Sequence, residues 1–294
     1  MATVVTFAED PLLGLAENGL MDCCPEQRPS YWAPRALSDV QAFHAQFQDH
    51  RFGRHAHDSY VIAAMETGGE TFDYRGERFT ALPGSLVLLG PEEPHTGQGA
   101  TGSPWSYRAL YVGRSWFKAK GLTFSRPVVE DPGLFRRLCA FHTALEEAPD
   151  PGWAWAELHG ILETLTDRFA LERGIGCLPD VSRQGLEGVR EYLRLNFRNR
   201  VRLQDLADLA GVGKFHLVRS FKRVTGFTPI EYLVDLRIRE AMGLLRQGQL
   251  STRVAMDLGF ADQAHFCRQF KRLVGVPPGR YAHAGQYRSS ADTD

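Results

Sequence analysis

LADLAGVGKFHLVRSFKRVTGFTPIEYL, residues 206–233, and VAMDLGFADQAHFCRQFKRLVGVPPGRY, residues 254–281, repeat one pattern within a single chain. Ala207 and Gly211 match Ala255 and Gly259 at an offset of 48. His216, Phe221, Lys222, Arg223, Gly226, Pro229 and Tyr232 match His265, Phe270, Lys271, Arg272, Gly275, Pro278 and Tyr281 at an offset of 49, so the second turn carries one extra residue. Each unit reads as a short amphipathic helix, a glycine able to take positive φ at a sharp turn, and a second helix. In the first unit Leu217, Phe221 and Val224 form the inward stripe, leaving Phe215, Val218, Arg219 and Lys222 outward. In the second, Phe266, Phe270 and Leu273 point inward, and Ala264, Cys267, Arg268 and Lys271 point outward, with Gln263 near the helix start. A helix face bearing Arg, Lys and Gln suits a DNA major groove. Arg can bond bidentately to guanine and Gln to adenine, while Lys and backbone N–H groups hold phosphates.

The segment between the units supports this reading. Thr228, Pro229 and Glu231 fall at the N-cap, first and third positions of a helix, a capping box, and that helix can run to about Gln247 before Gly248. At 1.5 Å per residue it spans roughly 28 Å. Adjacent major-groove faces lie about 34 Å apart, so one rigid rod can carry two reading heads about one DNA turn apart. Charge follows the same division. Residues 185–288 hold 18 Lys/Arg against 9 Asp/Glu, whereas residues 1–184 hold 16 against 24, although the whole chain is at −1. Such asymmetry points to a basic partner-binding module joined to an acidic one.

Residues 186–285 closely resemble the DNA-binding domain of the AraC/XylS family of transcription regulators, above all in the run LGFADQAHFCRQFKRLVGVPPGRY. The resemblance implies that Phe215, Val218, Arg219, Gln263, His265 and Arg268 face bases, with Lys214, Lys222 and Lys271 completing the DNA-facing set. Val218 and Ala264 offer no hydrogen bond, so those positions would read thymine methyls or nothing. Lys222 and Lys271 are also compatible with simple solvation, and His216 and His265 with packing or capping. The partners implied are double-stranded DNA, a small-molecule effector, RNA polymerase and a second copy of the chain. The direction of regulation, activator or repressor, stays open.

The N-terminal part has a different texture. Tyr60–Met65 and Ser85–Leu89 are apolar and Glu70–Tyr74 alternates, with turns at Gly68-Gly69, Arg75-Gly76, Pro83-Gly84 and Gly90-Pro91. Short strands at this spacing suggest a small β-barrel of cupin type. Two helices are expected after it. Pro132–Ala148 is capped by Asp131, and Trp153–Arg173 places Leu158, Ile161, Leu162, Leu165, Phe169 and Leu171 at helical spacing. This hairpin buries its stripe on its own barrel or against a second chain, and dimerisation through it is the expectation. The fold class expected is α+β in two domains: a sensing barrel over 1–130 with the hairpin at 131–173, a linker at 174–185, and an all-α double helix-turn-helix domain at 186–285.

His55-Ala-His57, Tyr74-Arg75-Gly76, Leu82-Pro83-Gly84-Ser85 and Pro91-Glu-Glu-Pro-His95 give residues 51–115 a looser resemblance to the cupin sensor domains that precede such DNA-binding domains. The preferred reading is a small-molecule pocket with polar contacts from His55, His57, Tyr60, Tyr74, Arg75 and His95. His55 and His57 alternate on a strand, so His95 can complete a three-histidine metal set. Enzymatic cupins add a glutamate four or five residues after the second histidine, and here Val61 and Ile62 occupy those places. Glu66 is too far along and of the wrong parity. The set is incomplete for catalysis, so no cofactor and no enzymatic activity are expected. A metal-dependent cupin enzyme with an appended basic domain is the alternative. Cys23, Cys24, Cys139, Cys177 and Cys267 show no CxxC spacing, which suits a reducing compartment. No signal peptide or membrane span is read from the sequence, and the expected location is cytoplasmic.

Overall fold

The computed structural model describes residues 30–286 apart from 101, 103, 118–121, 149–150 and 173–182. The N-terminal half is built from β1 (Ser30–Trp32), β2 (Val40–Phe47), β3 (Arg51–His55), β4 (Tyr60–Thr67), β5 (Glu70–Tyr74), β6 (Glu77–Ala81), β7 (Leu86–Leu89), β8 (His95–Gly99), β9 (Trp105–Val112), β10 (Leu122–Phe124) and β11 (Val128–Val129). Helices α1 (Pro132–Glu147) and α2 (Ala154–Phe169) and strand β12 (Ala170–Glu172) complete it. One antiparallel sheet has the order β1-β2-β9-β4-β7-β11, a second β3-β8-β5-β6, and β10 pairs with β12.

The unbroken apolar runs of β4 and β7 follow from burial on both faces. Val61, Ala63, Met65, Val87 and Leu89 point into the barrel. Tyr60, Ile62, Ala64, Leu86 and Leu88 point the other way, into a layer shared with Leu134, Leu138, Phe141 and Leu145 of α1 and Leu158, Ile161, Leu162 and Leu165 of α2. The hairpin's apolar stripe is therefore consumed by its own barrel and is not available to a second chain. Asp131 caps α1 by accepting from the Leu134 N–H, with Pro132 in the first turn. The helix expected to reach Arg173 ends at Phe169, because Ala170–Glu172 turns extended to pair with β10. Leu171 accordingly lies on a strand and is exposed. The sequence reading also missed β1 and β2, whose pairing partners lie elsewhere in the chain.

The C-terminal half comprises α3 (Arg183–Asn196), α4 (Leu203–Leu209), α5 (Lys214–Thr225), α6 (Pro229–Arg246), α7 (Ser251–Asp257), α8 (Gln263–Val274) and α9 (Pro278–Gln286). The helix-turn-helix pairs are α4/α5 and α7/α8, joined by α6. The capping box at Thr228 and Glu231 is present in full. Gly259, in the second turn, has φ +72°, and a Cβ there would meet the Arg198 carbonyl at 2.4 Å, so glycine is required on both counts. Leu186, Val189, Leu206, Leu217, Phe221, Phe227 and Tyr232 form the core of the first unit. The second unit has no separate core: Phe266, Phe270, Leu273 and Tyr281 belong to the same cluster as the barrel residues Phe43, Phe47, Phe52 and Trp105. Tyr31 of β1 meets Tyr281 of α9 edge-on at 5.1 Å. Among the described residues no helix is long and apolar enough to cross a membrane.

Candidate nucleic-acid interface and barrel cavity

Helices α5 and α8 present the side chains expected to face DNA. Lys214, Phe215, Arg219 and Lys222 are exposed on α5, Phe215 at 94%, and Val218 is half-buried. Gln263, Arg268 and Lys271 are exposed on α8. No ion pair engages Lys214, Arg219, Lys222, Arg268 or Lys271 among the described residues, so these cations remain free for phosphate or base edges. His265 is different. Its ring packs edge-on to Phe260 at 5.7 Å, and its backbone N–H is the one capped by the Asp262 carboxylate at 2.6 Å, so the ring packs the helix start and the cap belongs to Asp262. Val224, expected inside, is exposed. The chain turns through left-handed Gly226, and Phe227 fills the core position instead.

Inside the barrel, His55 and His95 face each other across β3 and β8. Strand β3 ends at His55, so His57 reaches the same place from the following segment and not by strand alternation. The three rings stand 4.3, 4.9 and 5.2 Å apart between centroids. Nδ1 of His55 donates to the Gly53 carbonyl at 2.8 Å, and Nδ1 of His95 to that of Glu93 at 3.1 Å. Burial, reinforced by the neighbouring imidazoles, holds His55 and His57 well below the usual histidine range. Burial brings His95 to about 4. All three are neutral at pH 7.

These histidines line a cavity of about 60 Å³ whose walls include Phe52, Phe72, Tyr107 and Tyr111. Glu70 also lines it, pushed up to about 8 by burial. Gly97 makes room for that carboxyl, since a Cβ there would lie 2.2 Å from a Glu70 oxygen. The roof belongs to the other half of the chain: Asp235, Ile238, Arg239 and Met242 of α6 with Leu273 and Val274 of α8. An adjoining cleft of about 470 Å³ shares Tyr31, His57, Tyr111, Arg239 and Met242 with the cavity.

Three residues expected in the pocket lie elsewhere. Tyr60 faces the hairpin layer and donates to the Leu122 carbonyl at 3.0 Å. Tyr74 donates to buried Glu93, and Arg75 donates to Glu93 at 2.6 Å and to Thr123. Tyr74 and Arg75 thus fold the loop that carries His95, because the Glu93 carboxylate there needs donors when it leaves water.

Polar contacts fix the two halves together around the cavity. The Ala56 N–H donates to Asp235 at 3.0 Å. Asp235 lies 3.0 Å from Arg239, which also pairs with Asp58. Glu92, in a left-handed conformation at φ +61°, takes Arg114 at 3.0 Å and Arg190 and Arg194 of α3 at 2.9 Å each.

The AraC-like ligand binding domain model matches residues 38–162, and a helix-turn-helix domain model matches residues 206–284. The chain belongs to the AraC/XylS family. This AraC/XylS member is 29% identical over 234 residues to the uncharacterized HTH-type transcriptional regulator YbfI of Bacillus subtilis, covering 76% of this chain and 85% of that protein. It is 26% identical to the MmsAB operon regulatory protein of Pseudomonas aeruginosa, covering 73% and 72%. Crystal structures of ToxT from Vibrio cholerae share its fold: one gives a TM-score of 0.54 at 13% identity over 84% of this chain and 98% of ToxT. Unsaturated fatty acid bound ToxT gives 0.53 at 13%, over 89% and 100%.

As an AraC/XylS member it is a DNA-binding transcription regulator with a ligand-binding domain. Sequence reasoning missed Asp235, Arg239 and Glu92 because their partners lie in the other half of the chain. Glu70 carried a signal, since it shares the parity of Phe72 and Tyr74 on an alternating strand.

Proposed function

We propose that this AraC/XylS regulator binds double-stranded DNA through α5 and α8 and answers to a small molecule that enters the barrel through the adjoining cleft. The observation that carries this is the roof of the cavity. Residues of α6 and α8 form it, so whatever fills the space acts directly on the helices that position the reading heads. Ligand-bound ToxT supports an effector in this architecture. The working division is residues 1–130 for sensing, 131–173 for the hairpin, 174–185 for the linker and 186–285 for DNA, in a cytoplasmic setting with RNA polymerase as a further partner. Pairing of two copies uses the outer side of the hairpin, where Trp153 and Trp155 stay exposed. Light scattering that gives only monomer at high concentration removes that part.

The DNA reading is tested by gel shift with the full chain and the promoter region beside its own gene. Arg219→Ala and Arg268→Ala should each lose about 1–3 kcal/mol of specific binding while keeping the fold. Affinity should fall steeply with salt as phosphate counterions are released. No preference for that region over random DNA overturns the reading. A loss confined to non-specific affinity reassigns both arginines to phosphates.

A further inference from the structure

We propose that His55, His57 and His95 form a site for a divalent transition metal of the zinc class, set in the seam between the barrel and the DNA-binding helices. Their donor atoms all lie within 4.8 Å of one another. The decisive feature is how two of the rings are held. A backbone carbonyl only accepts, so the Nδ1 atoms of His55 and His95 must carry the protons in their bonds to Gly53 and Glu93. Each Nε2 is then left with a free lone pair, and a carbonyl partner on the other nitrogen is the arrangement that orients a metal-binding imidazole.

A cluster of such lone pairs repels an anion and calls for a cation. Imidazole suits zinc, copper and nickel, and a three-nitrogen set leaves one position for water or another ligand. The 60 Å³ at the histidines fits an ion with its water, while the adjoining cleft of about 470 Å³ has the room that a larger effector needs. Tetrahedral zinc with bonds of about 2.0–2.1 Å wants its nitrogens roughly 3.4 Å apart, so the cluster must contract by about an ångström. His57 lies beyond the end of β3 and is half-buried, and its ring can supply that movement. Arg239 beside it pairs with Asp58 and Asp235, which offset part of its repulsion of a cation. Ala56, between two of the ligands, is bonded to Asp235 of α6, so filling the site tightens the contact between the two halves.

The test uses the full chain, stripped with chelator and titrated with zinc or cobalt(II) alone. One zinc per chain is expected, with visible cobalt absorption of a four-coordinate site and a raised melting temperature. His95→Ala should weaken zinc binding at least about tenfold. His57→Ala, at the least packed ring, carries the test if His95→Ala does not fold. Substoichiometric zinc, or full affinity in His57→Ala, overturns the proposal. So does protection by a primary amine without zinc uptake, which would make the ligand an organic ammonium. DNA binding of the stripped chain is measured alongside. Its persistence without zinc uptake sinks the metal site alone, and its absence from both the stripped and the zinc-loaded chain despite zinc uptake sinks the DNA reading alone.

Discussion

Glu70 keeps a proton that the unfolded chain would lose. Burial lifts its carboxyl from 4.5 to about 8, so between those values the folded state binds more protons and stability falls as pH rises. Glu70→Gln keeps the shape and removes this dependence. Because the carboxyl borders a cavity that can hold water, the gain should be about 2 kcal/mol at pH 8, short of the full shift, and nil near pH 4.5. Urea melts at the two pH values check it, and an equal effect at both overturns it. Glu66 runs the other way. Burial alone would raise it, but bonds from His44 and Arg108 outweigh that and bring it to about 2. At this scale the sequence was legible where residue type alone carried the meaning. His55, His57 and His95 could be picked out as one cluster, since few side chains offer such donors. Tyr60, Tyr74 and Arg75 could not be placed, because a polar residue near a turn reads alike whether it faces a cavity or satisfies a buried acid. Glu93 decided the matter for two of them.

Among the helices, the capping box of α6, the left-handed turn glycines Gly211 and Gly259 and most of the stripes of α5 and α8 were readable because each is set by neighbours within one or two turns. Val224 and the end of α2 were not, since Phe227 and β10 compete for those places through tertiary packing. Arg237 shows the same limit. In the sequence it is one cation among the mixed charges of α6. In the fold it is buried, donating to the carbonyls of Phe197 at 2.7 Å, Asn199 at 2.9 Å and Gly259 at 2.6 Å. It thereby ties the loop before α4 to the turn of the second helix-turn-helix. Arg237→Met keeps the stem and strips three carbonyls of their donors, and should cost about 3 kcal/mol. Urea unfolding of the full chain measures this. A loss of DNA affinity with unchanged stability would instead make Arg237 a DNA contact.

Across the whole molecule, the division into a sensing and a DNA-reading half was visible in charge and texture, but the seam between them was not. Its contacts join residues about a hundred or more positions apart, and no local pattern announces them. Glu92 is the part of the seam most open to test. A non-glycine residue in the left-handed region costs of order 1 kcal/mol or more, and here that conformation brings one carboxylate to Arg114, Arg190 and Arg194. The group is partly exposed, so solvent screening reduces each pair, and Glu92→Ala should weaken docking by about 1–3 kcal/mol in total. If effector binding reaches DNA through this seam, the ratio of DNA affinities with and without effector should move toward one in Glu92→Ala. Scattering in solution should at the same time show a larger radius of gyration. High salt should reproduce both effects in the unaltered chain, because exposed charges are screened beyond about 10 Å at 0.1 M and closer still above it. Unchanged dimensions and unchanged coupling in Glu92→Ala would leave the apolar contact of Tyr31, Phe47 and Phe52 with α8 and α9, together with the Asp235 and Arg239 contacts of α6, as the join between the halves, and the signal would then have to pass through α6 and the second helix-turn-helix.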